Sequence, residues 1–359
     1  MTNNRVINSV EAIREALSII GEKYDNALLF GEGILDPSAF FGTTRGLENF
    51  FGHERIYEMP LSENAVCGVA IGTAVEGKHP IISFHRVEFA LLAMEQIINN
   101  AAKMHYASNG IHTCPMILRL IVGRGWGQGP AHSQSLEASF AAVPGLKVIA
   151  PVFPYDYKGM LISAMEDKNP IIVIEHRWTH SIKGIVPTGL FMENITSPKK
   201  ISQGNTCTII ATSYAVIEAL QAVKVLENFE LGIDLIDLRV LSPLNEDMII
   251  ESVKKTGSLI TIDLGWKSFG VGAELIARVT ERAWGYLKKA PIRLGLPDHP
   301  IPSSRGYLPG LYPSSRSIID AVLAITGRDD LIKPVQDLFS KDPKELNLDV
   351  PNSEFQGPF

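Results

Sequence analysis

The chain has 359 residues, room for two domains of ordinary size. Its formal net charge of −6 argues against a broad surface for nucleic acid or anionic membrane, and 45% apolar against 20% charged residues is a globular balance. No apolar run is long enough to span a bilayer, and the opening MTNNRVINSVEAIREAL reads as an amphipathic helix with no secretory signal, so a cytoplasmic location is expected.

In chain order, short runs rich in Val, Ile and Leu alternate with longer helical patterns. Residues 26–30, 80–84, 115–121, 146–150 and 170–175 read as strands, and residues 63–75, 89–106 and 155–166 as helices. Several of the strands are apolar throughout instead of alternating, which suits a parallel sheet covered on both faces. The order predicts a doubly wound α/β domain. Residues 178–204 lose the pattern and hold Pro187, Gly189, Pro198 and Gly204, the composition of a linker. The pattern restarts with strands at 207–212, 234–238 and 259–263 and helices at 214–227, 245–255 and 272–284, a second and smaller α/β domain. From about Leu331 the chain turns rich in Asp, Lys, Pro and Asn, a tail expected to be mobile or draped on a partner. The division is therefore 1–195, 196–330 and a polar tail 331–359. Cys67, Cys114 and Cys207 are widely spaced in apolar segments and read as buried thiols in a reducing compartment.

Three segments could carry chemistry. In PLSENAVCGVAIGTAVEG, Glu63 opens a helix whose next turns are almost all small, so a neighbour can approach closely and the carboxylate should be partly buried. The plainer reading is that Glu63 serves the helix dipole. In GRGWGQGPAHSQSLEA, four glycines in seven residues between a strand and a helix make a loop that lets a ligand come close, with His132 directly after it. The alternative is a capping loop with Ser133 as the cap. In SFHRVEFALLAMEQIINNAAKMHYASNG, His85, Arg86 and Glu88 fall between a strand end and a helix start, where α/β sheets bind ligands, or else in a solvated turn. The sequence has no G-x-x-x-x-G-K-[ST] loop, no G-x-S-x-G elbow and no H-E-x-x-H, which disfavours a nucleotide kinase, an α/β hydrolase and a zincin.

Taken together, ALLFGEG, PLSENAVCGVAIGTAVEG, EQIINNAAKMHYASNG, PAHSQSLEASFAAVPGLKVIAP, MEDKNPIIVIEH, IDLRVLSPLNED and IDLGWKSFGVGAEL, collinear over most of the chain, resemble the β subunits of 2-oxoacid dehydrogenase E1 components within the wider transketolase group, the pyruvate and branched-chain type in particular. The resemblance implies a pyrimidine-binding domain followed by a transketolase C-terminal-type domain. It implies that Glu63 meets the N1′ atom of the thiamine aminopyrimidine, with Leu61, Ser83, Val87 and Phe89 around the ring. It implies that His132 positions substrate and moves a proton during acyl transfer, since an imidazole titrates near working pH. The family's diphosphate motif, G-D-G with a later Asn pair, is absent. Thiamine diphosphate and Mg²⁺ are therefore expected to be held jointly with an α-type partner in an α2β2 assembly, passing the acyl group to a lipoyl-bearing E2. A monovalent cation, K⁺, is implied at Ala164, Met165, Asp167 and Asn169. The loop 265–272 is implied as an intersubunit contact, or else a glycine-permitted turn before a helix.

Three departures stand out. Val87 occupies the position where the family stacks an aromatic ring, with Phe84 or Phe89 as compensation. Gly33 replaces an acidic residue, and HRVE (residues 85–88) replaces an apolar or aromatic stretch. These changes suggest an unusual acyl substrate with a negative group met by His85 or Arg86. Two other readings stay open: a split transketolase-like carboligase without a lipoyl acceptor, and a non-catalytic scaffold subunit.

Overall fold

The computed structural model describes residues 4–124 and 128–339, so Gly125, Trp126 and Gly127 of the glycine loop and residues 340–359 of the polar tail lie outside the described residues. The strands, in chain order, are β1 (Asn4–Asn8), β2 (Ala27–Gly31), β3 (Ile56–Glu58), β4 (His79–Phe84), β5 (Ile117–Val122), β6 (Lys147–Ile149), β7 (Ile171–His176), β8 (Lys183–Pro187), β9 (Lys199–Ser202), β10 (Cys207–Ala211), β11 (Ile233–Asp237), β12 (Val240–Ser242), β13 (Leu259–Trp266) and β14 (Ile292–Leu296). A seven-stranded sheet runs β12-β6-β7-β5-β4-β2-β3, and a five-stranded sheet runs β14-β13-β10-β11-β9. Both are parallel except at one edge, where β12 and β9 run antiparallel to their neighbours.

The apolar runs explain the layering. Successive side chains of a strand point to opposite faces, so a run without polar interruption needs cover on both sides. Leu28, Phe30, Ile82, Phe84, Leu118, Leu120, Ile172 and Ile174 lie in one buried cluster with the Glu63–Val75 helix. Ala27, Leu29, Ile81, Ile117, Ile121, Ile171 and Val173 lie in another with the helices Ser9–Lys23 and Pro154–Ala164. The five-stranded sheet is covered likewise, by Ala215–Glu227 and Ser315–Thr326 on one face and Asp247–Thr256 and Val271–Ala283 on the other.

The structure departs from the sequence expectation in four places. Residues 4–8, expected as the start of a helix, form β1 and pair antiparallel with β8, Asn4 opposite Pro187; β-branched Val6 and Ile7 suit a strand. Residues 178–204 are consequently no plain linker, since they contribute β8 and then β9, which joins the second sheet. The single helix expected over 89–106 is a tight turn at Val87–Ala93, a widened helical segment at Glu95–Ala101 and a short turn at Met104–Ala107; the widening shifts the helical phase so that Ala101 and Ala102 both face the core. Lastly, the polar tail begins with a helix, Ile332–Phe339. Cys67, Cys114 and Cys207 are free and buried, and burial pushes each thiol up to about 12. Among the described residues no helix is long and apolar enough to cross a membrane.

Candidate active site

Strands β2, β4, β5 and β7 lie side by side and parallel, so their carboxyl ends open on one edge. Ligands in open α/β sheets bind at that edge. The residues that follow are Glu32 after β2, His85 and Arg86 after β4, Gly123 and Arg124 after β5, and Arg177 after β7.

Glu63 is the first residue of its helix, and the preceding Ser62 makes no side-chain cap. It is only 6% exposed, and its carboxylate has no hydrogen-bond partner among the described residues. Glu32 and Glu58 are its acidic neighbours. Burial, then the charge of Glu63, then that of Glu58, raise the Glu32 carboxyl above its ordinary range, and Glu32 Oε1 is itself buried without a partner. Leu61, just before the helix, is 82% exposed and so is open to a ligand or a partner chain.

His132 closes the short Gly129–His132 turn, and Ser133 follows as its C-terminal residue, not as the cap of a later helix. The imidazole Nδ1 is bonded to Glu88 Oε1, with the His132 side chain half exposed and Glu88 nearly buried. That carboxylate fixes the ring through Nδ1 and leaves Nε2 without a hydrogen bond among the described residues. Phe89 meets the His132 ring edge-on at 5.8 Å. Gly123 packs hard against this loop: a Cβ there would stand 2.2 Å from the His132 carbonyl oxygen and 3.1 Å from Arg86 Nε, so only glycine fits.

The third group is cationic. Arg86 is buried and donates from Nε and Nη2 to Gln128 Oε1 at 3.1 and 2.9 Å. His85 Nδ1 lies 3.5 Å from Glu32 Oε2, and burial followed by the Arg86 charge lowers its proton affinity. Gly33 sits at φ +63°, where a side chain would crowd Asp36 and His85. Arg177 is buried as well, and both guanidinium groups lie over the Phe41 ring, at 5.2 Å for Arg86 and 4.9 Å for Arg177.

The predicted ring-lining residues divide. Leu61 is exposed and Phe89 partly exposed, whereas Val87 and Ser83 are fully buried. Val87 lies in the apolar core with Phe84, and Phe89 is the partly exposed aromatic that meets His132. Ser83 Oγ accepts from Arg119 Nη1 at 3.1 Å. Arg119 in turn holds Glu175 through two bonds of 2.6 and 3.0 Å and donates to Thr43 at 3.1 Å, with His180 on the same carboxylate. Burial alone would raise the Glu175 carboxyl, but Arg119 and His180 hold it down to about 2. Ser83 is thus part of the floor beneath the site. Glu32, Phe41, Glu58, Gln128 and Arg177 escaped the sequence reading; the signal for Glu32 and Arg177 was their place one residue after an apolar strand.

At Ala164, Met165, Asp167 and Asn169 the one carboxylate, Asp167, is bonded to Lys147 and accepts two bonds from Asn169. Its charge is compensated, so what the segment offers a cation is main-chain carbonyl oxygen. Among the described residues no group of three or more His, Cys, Asp or Glu is placed to hold a metal ion.

The chain matches the model of the transketolase pyrimidine-binding domain over residues 5–180 and that of the transketolase C-terminal domain over residues 198–316. It is 36% identical over 302 residues to the pyruvate dehydrogenase E1 component subunit beta of Acholeplasma laidlawii, covering 84% of this chain and 92% of that protein. The Rickettsia felis protein of that name is 36% identical over 313 residues, covering 87% and 96%. The mitochondrial protein of Bos taurus is 33% identical over 317 residues, covering 87% and 88%. Among solved structures, a split-gene transketolase described as an inactive β4 tetramer superposes with a TM-score of 0.73 at 21% identity over 89% of this chain and 98% of that one. At that identity the likeness concerns the fold alone.

Proposed function

This chain belongs to the family of pyruvate dehydrogenase E1 component β subunits, and from that premise we propose that it supplies the pyrimidine-facing half of a thiamine-diphosphate-dependent 2-oxoacid dehydrogenase active site. The observation that carries the reading is Glu63, a nearly buried carboxylate that opens its helix close enough to Glu32, the residue after β2 at the carboxyl edge of the sheet, to raise the carboxyl of Glu32. When bound, thiamine diphosphate supplies a nucleophilic carbon that adds to the keto carbon of a 2-oxo acid and accepts the electron pair left as carbon dioxide departs.

The side chains of this protein orient and move protons. Glu63 would hold the pyrimidine N1′ nitrogen and share a proton with it, which sets the tautomer of the ring. Phe89 would flank the ring. His132, fixed at Nδ1 by Glu88, would hold or deliver a proton at Nε2 to the substrate oxygen. The sequence carries no G-D-G with its Asn pair, so Mg²⁺ and the diphosphate fall to an α-type partner in an α2β2 heterotetramer, with a lipoyl-bearing E2 as the acyl acceptor. Three buried free thiols fit a reducing compartment, and we assign the chain to the cytoplasm.

The test is coexpression with the α-type partner, thiamine diphosphate and Mg²⁺, followed by 2-oxoacid-dependent reduction of an artificial oxidant. Cofactor-dependent turnover that Glu63→Gln abolishes supports the proposal. A chain that purifies without a partner and binds no thiamine diphosphate would leave it a scaffold.

A further inference from the structure

The glycine loop leaves the first domain at Gly123 and Arg124 and returns at His132 and Ser133. These two ends meet, since a Cβ on Gly123 would stand 2.2 Å from the His132 carbonyl oxygen. Arg124 is 5% exposed, and its Nε and Nη1 have no hydrogen-bond partner among the described residues. What holds the guanidinium is a pair of rings: its carbon lies 4.1 Å from the centre of Trp178 and 4.0 Å from that of Tyr312. Trp178 follows β7 in the first domain, whereas Tyr312 belongs to the second. Tyr312 also meets the other end of the loop, where its phenol is hydrogen-bonded to the Ser133 side chain. We propose that Tyr312 is a positioning residue: it fastens both ends of the loop to the second domain and thereby sets where the His132 imidazole stands.

The geometry supports this in three ways. First, burial lowers the proton affinity of Arg124, and no carboxylate is bonded to it among the described residues. The two aromatic faces are therefore its closest stabilising contacts, and a guanidinium is held more firmly over a ring where water is excluded. Second, the same turn leans on the second domain at another point. A Cβ on Gly129, where the Gly129–His132 turn begins, would stand 2.7 Å from Ser303 Oγ. Third, two different fixings are needed at His132. Glu88, from the first domain, orients the ring through Nδ1. That bond settles how the ring turns, but the position of the ring follows the main chain at residues 132 and 133, where Ser133 meets Tyr312. A shift of about 1 Å at a proton-transferring group can cost about 10²-fold in rate, so placement of that main chain matters as much as orientation of the ring. The consequence for catalysis rests on the dehydrogenase reading, but the fastening itself does not.

The experiment uses the full-length chain assembled with its α-type partner and two variants. Tyr312→Leu removes both the ring over Arg124 and the hydroxyl at Ser133. Tyr312→Phe keeps the ring and removes only the hydroxyl, and it carries the test should the first variant fail to fold. Hydrogen exchange followed by mass spectrometry should show the amides of residues 129–136 exchanging at least about tenfold faster in Tyr312→Leu and by a smaller factor in Tyr312→Phe, with the Ser9–Lys23 helix unchanged. In turnover with the fastest of pyruvate, 2-oxobutyrate and 2-oxoisovalerate, kcat should fall about 10–100-fold in Tyr312→Leu while KM stays within about twofold, and Tyr312→Phe should fall between that variant and the unaltered chain. In a His132→Asn background, Tyr312→Leu should cost less than about twofold more, because its effect passes through His132. Unchanged exchange at residues 129–136 in both variants overturns the fastening. An equal loss of kcat with and without His132 overturns the positioning role and makes Tyr312 a merely structural residue. Faster exchange in an assembly that turns over none of the three acids overturns the dehydrogenase reading for those acids and leaves the fastening standing.

Discussion

Both sheets end their parallel strands in charged side chains, but the two edges use them differently. At the edge of the first sheet, partly exposed histidines stand beside acids, His85 at Glu32 and His132 at Glu88, with Glu63 nearly buried nearby. At the edge of the second, Asp263 accepts from the Gly265 and Gly272 main-chain N–H groups at 3.0 Å each and faces a cavity of about 170 Å³ shared with Glu137. Asp237 is wholly enclosed, and burial followed by Asp156 pushes its carboxyl well above the ordinary range. A position at a strand end therefore does not make a site. What distinguishes the first edge is acids standing beside partly exposed histidines, while the second edge binds Asp263 to main-chain N–H groups and encloses Asp237, whose oxygens have no hydrogen-bond partner among the described residues.

The contrast predicts where substitutions act. Glu63→Gln should lower kcat by about 10²–10⁴-fold with an unchanged circular dichroism spectrum, since the loss is of a proton-sharing group at an open edge. Arg119→Met should do the reverse. It strands Glu175 beneath the site and should cost about 3–5 kcal/mol of folding stability by denaturant titration. A stable Arg119→Met protein would show that the floor is not held by this ion pair. Glu88→Gln should lower kcat by about tenfold, less than His132→Asn, because the ring loses its orientation but keeps its proton carrier; equal losses would assign Glu88 a direct part.

The smallest effect lies at the second edge. Burial, with Glu137 nearby, raises Asp263 to about 7, against about 4 in an unfolded chain. Between those values the folded state holds an extra proton, so this residue makes stability fall as pH rises from about 4 to 7 and level off above. His180, which burial lowers to about 4, slopes the opposite way, losing stability as pH falls from about 6.5 to 4. Asp263→Asn should abolish only the first contribution, leaving the His180 slope uncancelled, visible as a larger rise in Tm from about pH 5 to pH 7 than in the unaltered chain. An unaltered pH profile would mean that Asp263 is ionised in the fold.

The α/β layering was legible because Ile81, Ile82, Ile171, Ile172, Val173 and Ile174 stand in runs without polar interruption, and only a sheet buried on both faces asks for that. The helix from Glu63 to Val75 was legible to the residue. Edge strands were not. Residues 4–8 and 183–187 are half exposed, so they lack the apolar run that marks an inner strand, and β12 crosses from the second half of the chain to extend the first sheet. The Ser315–Thr326 helix was overlooked although Ile318, Ile319, Val322 and Leu323 repeat at helical spacing. We place the division of the chain at 195/196, between β8 and β9, which pair in different sheets. At the site, Glu63 and His132 stood out locally, but the Glu88–His132 bond spans 44 residues and the Arg86–Arg177 pairing 91, and no local pattern encodes such distances. Val87 aligns with a stacking position, but the sequence says nothing of which way its side chain turns, and the fold buries it.

The central claim is that this chain holds half of a cofactor site. It is tested most directly by calorimetric titration of thiamine diphosphate with Mg²⁺ into the chain alone, into the chain with its α-type partner, and into that assembly carrying Glu63→Gln. The account predicts saturable binding only in the assembly, weakened by Glu63→Gln. Tight binding by the chain alone, or binding in the assembly indifferent to Glu63, would contradict it.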